Sequence, residues 1–321
     1  MKSVEQLWFL LLQKISGLIV ALRFSAVPAE YKYFCRDTYM CKINQWRFLL
    51  RDHFFKKKYK TIRYEGEFAA EIQFCLPHAY WHFLNGTLKQ TISFPGTKEI
   101  YFFSENHVEQ QGERTNEGNY NYNLPRIIYS HDYDLGKWAQ VPLKEKYRNN
   151  VYVYPKPILI IANRYNTEWD GPPVSFFSIE QLDEMIQKLK NKFTIIYNRP
   201  QANHIVNDNS EIYDLKEFAW LKDTHPEVLH LHELYEANVI GAKNFNHFQL
   251  CVYANCDNFI SIHGGTATLA SYFGGSNIIF SKKGPEHYFN CFEKLYPKFS
   301  GAKIYHAKTD EELKQYIQQI Y

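Results

Sequence analysis

The sequence predicts an α/β protein whose C-terminal half contains a mostly parallel sheet. From Ile158 onward, short apolar segments alternate with segments of helical periodicity, which is typical of parallel strands joined by helical crossovers. The chain has 321 residues, of which 45% are hydrophobic. At ~150 residues per domain, this length accommodates about two domains, each with its own core.

The N-terminal 60 residues are predicted to be helical and irregular. Two apolar segments, Leu7–Leu12 and Ile15–Leu22, are separated by two polar residues, whereas a membrane-spanning helix needs ~20 apolar residues in succession. We expect a buried amphipathic first helix. The alternative is peripheral contact of residues 5–22 with a membrane, which the basic run Lys56–Lys60 would favour on anionic lipid.

Residues 61–155 give weaker signals. The segment Lys98–Phe103 (KEIYFF) is predicted as a strand because it is short, aromatic and preceded by a Pro-Gly pair. Residues 104–150 are polar and rich in Gly, Asn and Pro, so we expect long loops with short strands. A linker near Tyr154–Pro157 divides the chain into domains 1–155 and 156–321.

The C-terminal half shows regular alternation. Ser178, with Gln181 three residues later, predicts a helix start, and so does Thr309 with Glu312. Further helices are expected over Phe245–Ala254 and Thr266–Phe273. The predicted strands are Ile158–Ala162, Phe193–Tyr197, Val228–Leu231, Asn258–Ile262, Asn277–Phe280 and Lys303–His306. This half is therefore expected to be Rossmann-like, with the strand order reversing near the first strand.

Charge and cysteine content exclude some classes of protein. The chain has 37 basic and 34 acidic residues, a net charge of +3, whereas nucleic-acid-binding domains usually show a much stronger basic excess. The six cysteines form no Cys-x2-Cys pair. Buried free thiols in a cytoplasmic protein fit best. The spacing of Cys251 and Cys256 lacks the second ligand pair of a structural zinc site.

Polar residues follow three of the predicted strands at their carboxyl ends, where ligands bind in open α/β sheets. Gly264 and Gly265 would let the backbone approach a ligand closely. The first turn of the following helix offers unpaired N–H groups to a phosphate, and arginines suit a diphosphate. The predicted binding residues are Asn163, Arg164, Arg199, His263, Gly264, Gly265, Thr266 and Thr268.

The segment NFISIHGGTATLASYFGGSNIIF resembles the late strand, Gly-rich turn, helix and strand of GT-B glycosyltransferases, in which donor phosphates are bound. Residues 157–321 resemble the donor-binding domain of that class, and the loop with Arg164 is similar to that of the fucosyltransferase-like branch. The whole chain resembles proteins of bacterial polysaccharide gene clusters. Residues 157–321, the part that resembles the donor-binding domain, contain no Glu-x7-Glu motif of the common retaining families, which favours inversion.

This resemblance implies an α/β fold of two Rossmann-like domains. It also implies a hexosyl- or deoxyhexosyltransferase that uses a nucleotide-sugar donor without a metal or other cofactor. The acceptor would be a glycan or a lipid-linked glycan in surface polysaccharide synthesis, on the cytoplasmic side of the membrane. The final helix, Glu311–Ile320, is expected to pack near the N-terminal domain.

An inverting transfer needs a base for the acceptor proton. Glu168, in the loop after the first strand, is the preferred candidate. His78 and His82, in the segment LPHAYWHFLNG, are the alternatives from the N-terminal half.

Other functions remain open at this stage. Asp132 and Asp134 have the Asp-x-Asp form of a metal-dependent GT-A transferase, although residues 1–130 lack the expected nucleotide-binding units. His230 and His232 would lie on one face of a strand, as in a polar strand edge or a metal site. A sugar-nucleotide epimerase, a pyruvyl transferase or a non-catalytic glycan- or nucleotide-binding protein could share the fold.

Overall fold

The computed structural model describes residues 4–125, 128–134, 136–168, 171–201 and 211–321. The strands are β1 Lys60–Arg63, β2 Leu88–Ser93, β3 His107–Glu109, β4 Ile158–Ala162, β5 Thr194–Asn198, β6 Leu229–His230, β7 Asn258–Ile262, β8 Ser276–Phe280 and β9 Lys303–Ala307. The helices are α1 Val4–Arg23, α2 Lys32–Gln45, α3 Phe68–Ala70, α4 Leu76–Leu84, α5 Leu143–Tyr147, α6 Ile179–Leu189, α7 Glu217–Thr224, α8 Leu231–Ala237, α9 Phe245–Tyr253, α10 Gly265–Ala270, α11 Pro285–Phe289, α12 Cys291–Lys294, α13 Pro297–Ser300 and α14 Asp310–Ile320.

The C-terminal half forms a six-stranded sheet in the order β6-β5-β4-β7-β8-β9, and each adjacent pair is parallel. The chain builds one side of the sheet from β4 to β6 and the other from β7 to β9. The strand order therefore reverses at β4, as predicted. All six strands lie at the predicted positions to within two residues, and β6 is the shortest.

Both faces of this sheet are covered, which explains its continuous apolar strands. Side chains of Ile158, Ile160 and Ala162 belong to one buried cluster, and those of Leu159 and Ile161 belong to another on the opposite face. The alternation follows from the two-residue period of a strand. All five residues of β4 are buried, so the strand lies at the centre of the core.

The two predicted helix caps are confirmed. Ser178 accepts a hydrogen bond from the backbone N–H of Gln181, whose side chain bonds back to the Ser178 N–H. Thr309 accepts from the N–H of Glu312 at the start of α14. These caps satisfy backbone donors that a helix start leaves without partners.

The expected packing of the final helix is wrong. Helix α14 lies against β8 and β9, with Leu313 and Ile317 buried in the cluster on that face. Lys314 pairs with Glu184 of α6 at 2.8 Å. The apolar stripe of α14 is therefore buried by the C-terminal sheet.

The predicted strand over Lys98–Phe103 is also wrong. This segment forms successive turns, in which the N–H groups of Ile100 and Tyr101 bond to the carbonyl of Thr97 at 2.9 and 3.1 Å. Ile100, Tyr101 and Phe103 are buried. Their aromatic and β-branched side chains fill the core from a turn, so packing has overridden strand propensity.

A second, three-stranded parallel sheet in the order β1-β2-β3 lies in the N-terminal half. Residues 68–84 run from α3 through a π-helical turn, Glu71–Cys75, into α4. One buried cluster includes Ile62 and Phe74 from this half together with Ile160 and Phe248 from the other. The protein is thus mixed α/β with parallel sheets, and the division at residue 155 stays a prediction.

The expectation of a buried first helix is wrong as well. Helix α1 packs against α2 through one narrow stripe, and Leu12, Ser16 and Val20 are its buried residues. Among the described residues, α1 is the one helix long and apolar enough to cross a membrane by length and composition. By contrast, the prediction of buried free cysteines is confirmed at all six positions.

Candidate functional site

A cavity of about 690 Å³ lies between the N-terminal half and the carboxyl ends of β4, β7 and β8. Its C-terminal wall contains Asn163, Arg164, Glu168, His263, Gly264, Gly265, Thr266 and Glu286. The opposite wall contains the aromatic side chains of Tyr31, Tyr33, Phe34, Phe68, Tyr120 and Tyr129. A polar wall thus faces an aromatic one, an arrangement that suits a ligand with both charged and ring-shaped parts.

The Gly264–Gly265 pair shapes the cavity floor at the start of α10. Gly264 has φ +97°, and a Cβ atom there would lie 3.1 Å from Nη1 of Arg164. A Cβ atom on Gly265 would lie 3.2 Å from the Phe68 ring. The absence of side chains therefore lets an arginine and an aromatic ring approach the same backbone turn.

Among the described residues that line this cavity, Arg164 is the arginine available to a ligand. Its Nη2 donates to the carbonyl of Thr167 at 3.0 Å, and within the described parts of the chain it makes no ion pair. Arg114, the other arginine of the wall, is buried and paired with Glu71 at 2.8 Å. An anion would therefore be drawn to Arg164 rather than to Arg114.

Three predicted binding residues support the turn. Asn163 donates to Phe177 and Tyr197 and accepts from the Arg164 N–H, so its amide is fully used. The hydroxyl of Thr266 donates to Ile262, and that of Thr268 donates to Gly264 at 2.8 Å. These contacts hold the loop after β4 and the first turn of α10 in place.

Arg199 does not join the others. Its guanidinium forms a buried ion pair with Glu217, also donates to the carbonyl of Tyr213 at 3.2 Å, and lies over the Phe218 ring. A buried arginine beside a buried carboxylate is a structural pair, because separating them leaves an uncompensated charge. Arg199 and Thr268 therefore lie behind the surface of the cavity, whereas the other six predicted binding residues line it.

Glu168 lines the cavity as an anchored carboxylate. It accepts from the N–H groups of Val174 and Ser175 at 3.0 and 2.9 Å and from His263 Nε2 at 2.8 Å. Burial alone would raise the pKa of Glu168, but these hydrogen bonds outweigh it and lower the pKa to about 2. A carboxylate so strongly held is a poor proton acceptor. Its evident role is to orient His263.

Glu286 is the functional candidate that sequence analysis missed. Burial raises the pKa of this carboxyl group, and the nearby charges of His263 and Arg164 oppose the shift only in part. Tyr129 donates to Oε1 at 3.4 Å, while Oε2 is buried and has no hydrogen-bond partner among the described residues. A poorly satisfied carboxyl group with a raised pKa in a cavity is a candidate acid or base.

The signal for Glu286 was present in the sequence. The segment SKKGPEHYF follows β8, so Glu286 stands at the same carboxyl edge as Arg164 and His263. The predicted site residues follow the first, second and fourth strands of this half, whereas Glu286 follows the fifth.

His78 and His82 lie in the core of the N-terminal half. His78 Nδ1 contacts the carbonyl of Lys137 at 3.0 Å, His82 Nδ1 contacts the Thr87 hydroxyl at 2.7 Å, and neither ring lines the cavity. Burial lowers the pKa of His78 well below its usual value and that of His82 to about 3. Both are therefore neutral.

The two groups considered as metal ligands are engaged elsewhere. Asp132 pairs with Lys42, and its second oxygen accepts from the Asp134 N–H at 2.8 Å, outside the cavity. Ligand atoms of His230, His232 and Glu233 lie within 4.8 Å of one another. Glu233, however, is paired with Lys222, whose ammonium group would repel a cation at this position.

No protein-family model matches the sequence, and no curated protein matches it. Among solved structures, the chain is similar to E. coli ADP-heptose lps heptosyltransferase II, with a TM-score of 0.48, 9% identity, and coverage of 81% of this chain and 98% of that one. It is also similar to a glycosyl transferase family 9 protein of Veillonella parvula, with a TM-score of 0.46 and 10% identity. That alignment covers 81% of this chain and 89% of the other.

The E. coli heptosyltransferase WaaC with ADP gives a TM-score of 0.38 and 13% identity, and the alignment covers 98% of this chain and 97% of that one. At these identities no residue role transfers, so the function is inferred from the cavity itself. The likeness to the fucosyltransferase-like branch stays a prediction.

Proposed function

We propose that the protein is a glycosyltransferase that moves a sugar from a nucleotide-sugar donor to a glycan or lipid-linked acceptor. The observation that carries this proposal is Arg164, which makes no ion pair with the described residues and lies beside the Gly264–Gly265 turn, in a cavity that also holds Glu286. A cation and an open backbone turn suit a diphosphate. A carboxyl group on the same wall suits an acceptor hydroxyl.

The donor diphosphate would lie between Arg164 and the Gly264–Thr266 backbone. His263 would contribute its second ring nitrogen, because Nε2 is occupied by Glu168. The aromatic wall supplies flat surfaces for the base or sugar rings. Arg199 has no direct part in this arrangement, since Glu217 already neutralises it.

In the proposed reaction, an acceptor oxygen attacks the anomeric carbon of the donor sugar. The bond between that carbon and the phosphate oxygen breaks, and the nucleotide diphosphate leaves with the bonding electrons. Glu286 takes the acceptor proton, which replaces the earlier assignment of this role to Glu168. Arg164 and the backbone turn stabilise the negative charge that develops on the leaving group.

A single displacement of this kind inverts the anomeric configuration and needs no metal ion. Support for inversion is that, of the two carboxyl groups on the C-terminal wall, Glu286 is weakly bonded and can act as a base, whereas Glu168 is strongly held and unsuited to act as a nucleophile. Support for metal independence is that Arg164 can supply the positive charge on the leaving group. We place this activity in the cytoplasm, in the synthesis of a surface polysaccharide.

Donor binding is the first test. Thermal shift against UDP-, GDP-, CMP- and dTDP-sugars should identify a ligand, because a ligand at 100 times its Kd adds about 2.7 kcal/mol of stability. Calorimetry on Arg164→Ala should then show a loss of about 1.5–3 kcal/mol of binding free energy. Arg164→Lys should recover only part of this binding free energy, since the point charge of lysine cannot form the bidentate hydrogen bonds of a guanidinium group.

The matched control is Arg148→Ala, which removes an exposed arginine outside the cavity. It should bind the donor as the parent does. Parent affinity in a folded Arg164→Ala protein would refute this donor site. Tight binding without transfer or hydrolysis would instead favour a non-catalytic nucleotide-binding protein.

A further inference from the structure

Helix α1 presents a row of apolar side chains to solvent. The row consists of Leu7, Leu11, Ile15, Leu18 and Leu22, at spacings of three or four residues, and all five are exposed. At 100° per residue, this row lies roughly 140° around the helix from the buried Leu12, Ser16 and Val20. The helix therefore has two apolar sides, and the protein covers only one.

A second group of exposed apolar side chains lies beside the start of α1. It comprises Trp46, Leu49, Leu50, Phe54 and Phe55, and Trp46 and Phe54 are each 74% exposed. Trp8 of α1 donates to Asn44 at 3.0 Å, and the Arg47 guanidinium lies 5.6 Å from its ring centroid. The two groups together form what we call the N-terminal apolar surface.

This surface is unusual for a protein that exposes it only to water. Single exposed apolar residues are common, but ten large ones in two adjoining groups exceed what soluble monomers normally tolerate. Burial of such side chains in another phase is strongly favourable. Some apolar partner is therefore expected to cover them.

The charges around the N-terminal apolar surface indicate which partner. Seven exposed basic residues lie in the segments that form it, namely Lys14, Arg23, Arg47, Arg51, Lys56, Lys57 and Lys58, of which Lys58 is paired with Glu105 at 3.2 Å. In the same segments, 4–23 and 46–58, Glu5 is the exposed carboxylate, because Asp52 is buried against Lys137. An apolar surface rimmed by cations is complementary to an anionic phospholipid bilayer.

We propose that α1 and residues 46–58 dock in the plane of an anionic membrane, with α1 lying flat at the headgroup level. Both ends of α1 are held to α2, by the Trp8–Asn44 hydrogen bond and by an Arg23–Tyr39 contact at 3.4 Å. Its buried stripe is also used in packing on α2. To span the bilayer, the helix would have to leave this partner along its whole length.

This orientation bears on the acceptor, and that step rests on the proposed function. Tyr31, Tyr33 and Phe34, at the start of α2, line the cavity, while α2 also packs against α1. The aromatic wall of the cavity is thus one helix away from the docked surface. A lipid-linked acceptor could enter from the bilayer with its carrier still embedded, so the acceptor class is lipid-linked rather than free glycan.

Vesicle cosedimentation tests the docking. The parent should bind phosphatidylglycerol-containing vesicles and bind phosphatidylcholine vesicles at least tenfold more weakly. Leu18→Glu/Leu22→Glu should lower the partition coefficient at least tenfold. Val239→Glu is the matched control, because Val239 and Leu22 are both 75% exposed, and it should bind as the parent does. Lys56→Gln/Lys57→Gln should lower the partition coefficient about fivefold per charge removed, and only on anionic vesicles.

Several outcomes would overturn the proposal. Equal binding of parent and Leu18→Glu/Leu22→Glu would do so, as would failure of the parent to bind. Resistance of bound protein to alkaline carbonate would show a spanning helix instead. A shift from dimer to monomer in the same variant, without vesicle binding by the parent, would show a second copy as the partner. Donor affinity measured in parallel separates failure of docking from failure of the proposed function.

Discussion

Replacement of Glu286 by Gln separates a catalytic role from a structural one. The substitution keeps the shape of the side chain and removes its ability to accept a proton. A general base contributes ~10²–10⁴-fold to rate. We therefore expect kcat to fall by about that factor, while donor affinity, which depends on Arg164, changes little.

Although kcat should fall, the stability of the Glu286→Gln protein should not. Burial raises the folded pKa of Glu286 above 4.5, so the group favours folding when it is protonated. That contribution is complete below the unfolded pKa and is lost as the pH rises through the folded pKa. Gln resembles the protonated form at every pH. The variant should therefore be as stable as the parent or more stable at pH 7.

Two measurements check this reasoning. The pH profile of kcat/KM in the parent should fall on its acid side with a pKa above 4.5, and the residual activity of Glu286→Gln should lack that limb. Chemical denaturation at pH 7 gives the stability. Full activity in the variant would refute the assignment, and lost activity with clear destabilisation would indicate a structural role.

Three further predictions concern other parts of the molecule. Lowering the pKa of Glu168 from 4.5 to about 2 corresponds to about 3 kcal/mol, which solvent screening reduces to about 1–2. Glu168→Gln should lose this stability at pH 7, and its difference from the parent in denaturation should shrink as the pH falls from 4.5 towards 2. Gly275→Ala should prevent soluble expression, because its Cβ would lie 1.9 Å from a backbone oxygen, whereas Gly17→Ala, with open space, should raise Tm slightly. Transfer activity should survive EDTA and the Asp132→Ala/Asp134→Ala double substitution, and its loss in both assays would support the metal-dependent alternative.

The C-terminal sheet could be predicted because its signal is local. Strands such as Ile158–Ala162 are buried on both faces, so apolar runs and the helices between them identify each element. The Lys98–Phe103 turn could not be predicted, because its composition suits a strand, whereas its conformation depends on packing against its neighbours in the core. Exposure of α1 was equally hidden, since an apolar helix has the same sequence pattern whether protein or another phase covers it.

In the site, too, features with a local sequence signal could be predicted, and features that depend on distant residues could not. Arg164 and the glycine pair were predictable from their position after strands. Arg199 also follows a strand, but it forms an ion pair with Glu217, 18 residues later in the chain. No local sequence pattern shows that pairing. Glu168 was predicted as part of the site, while its hydrogen bonds to Val174, Ser175 and His263, which change its chemistry, depend on tertiary structure.

The buried cluster that joins Ile62 and Phe74 to Ile160 and Phe248 has a consequence for cooperativity. Because these side chains exclude water together, neither half can open without exposing apolar surface of the other. The chain should therefore unfold in one cooperative transition, and slow amide exchange should be shared by β1 and β4. Ligand bound at the edge of one sheet would then protect backbone amides in both halves.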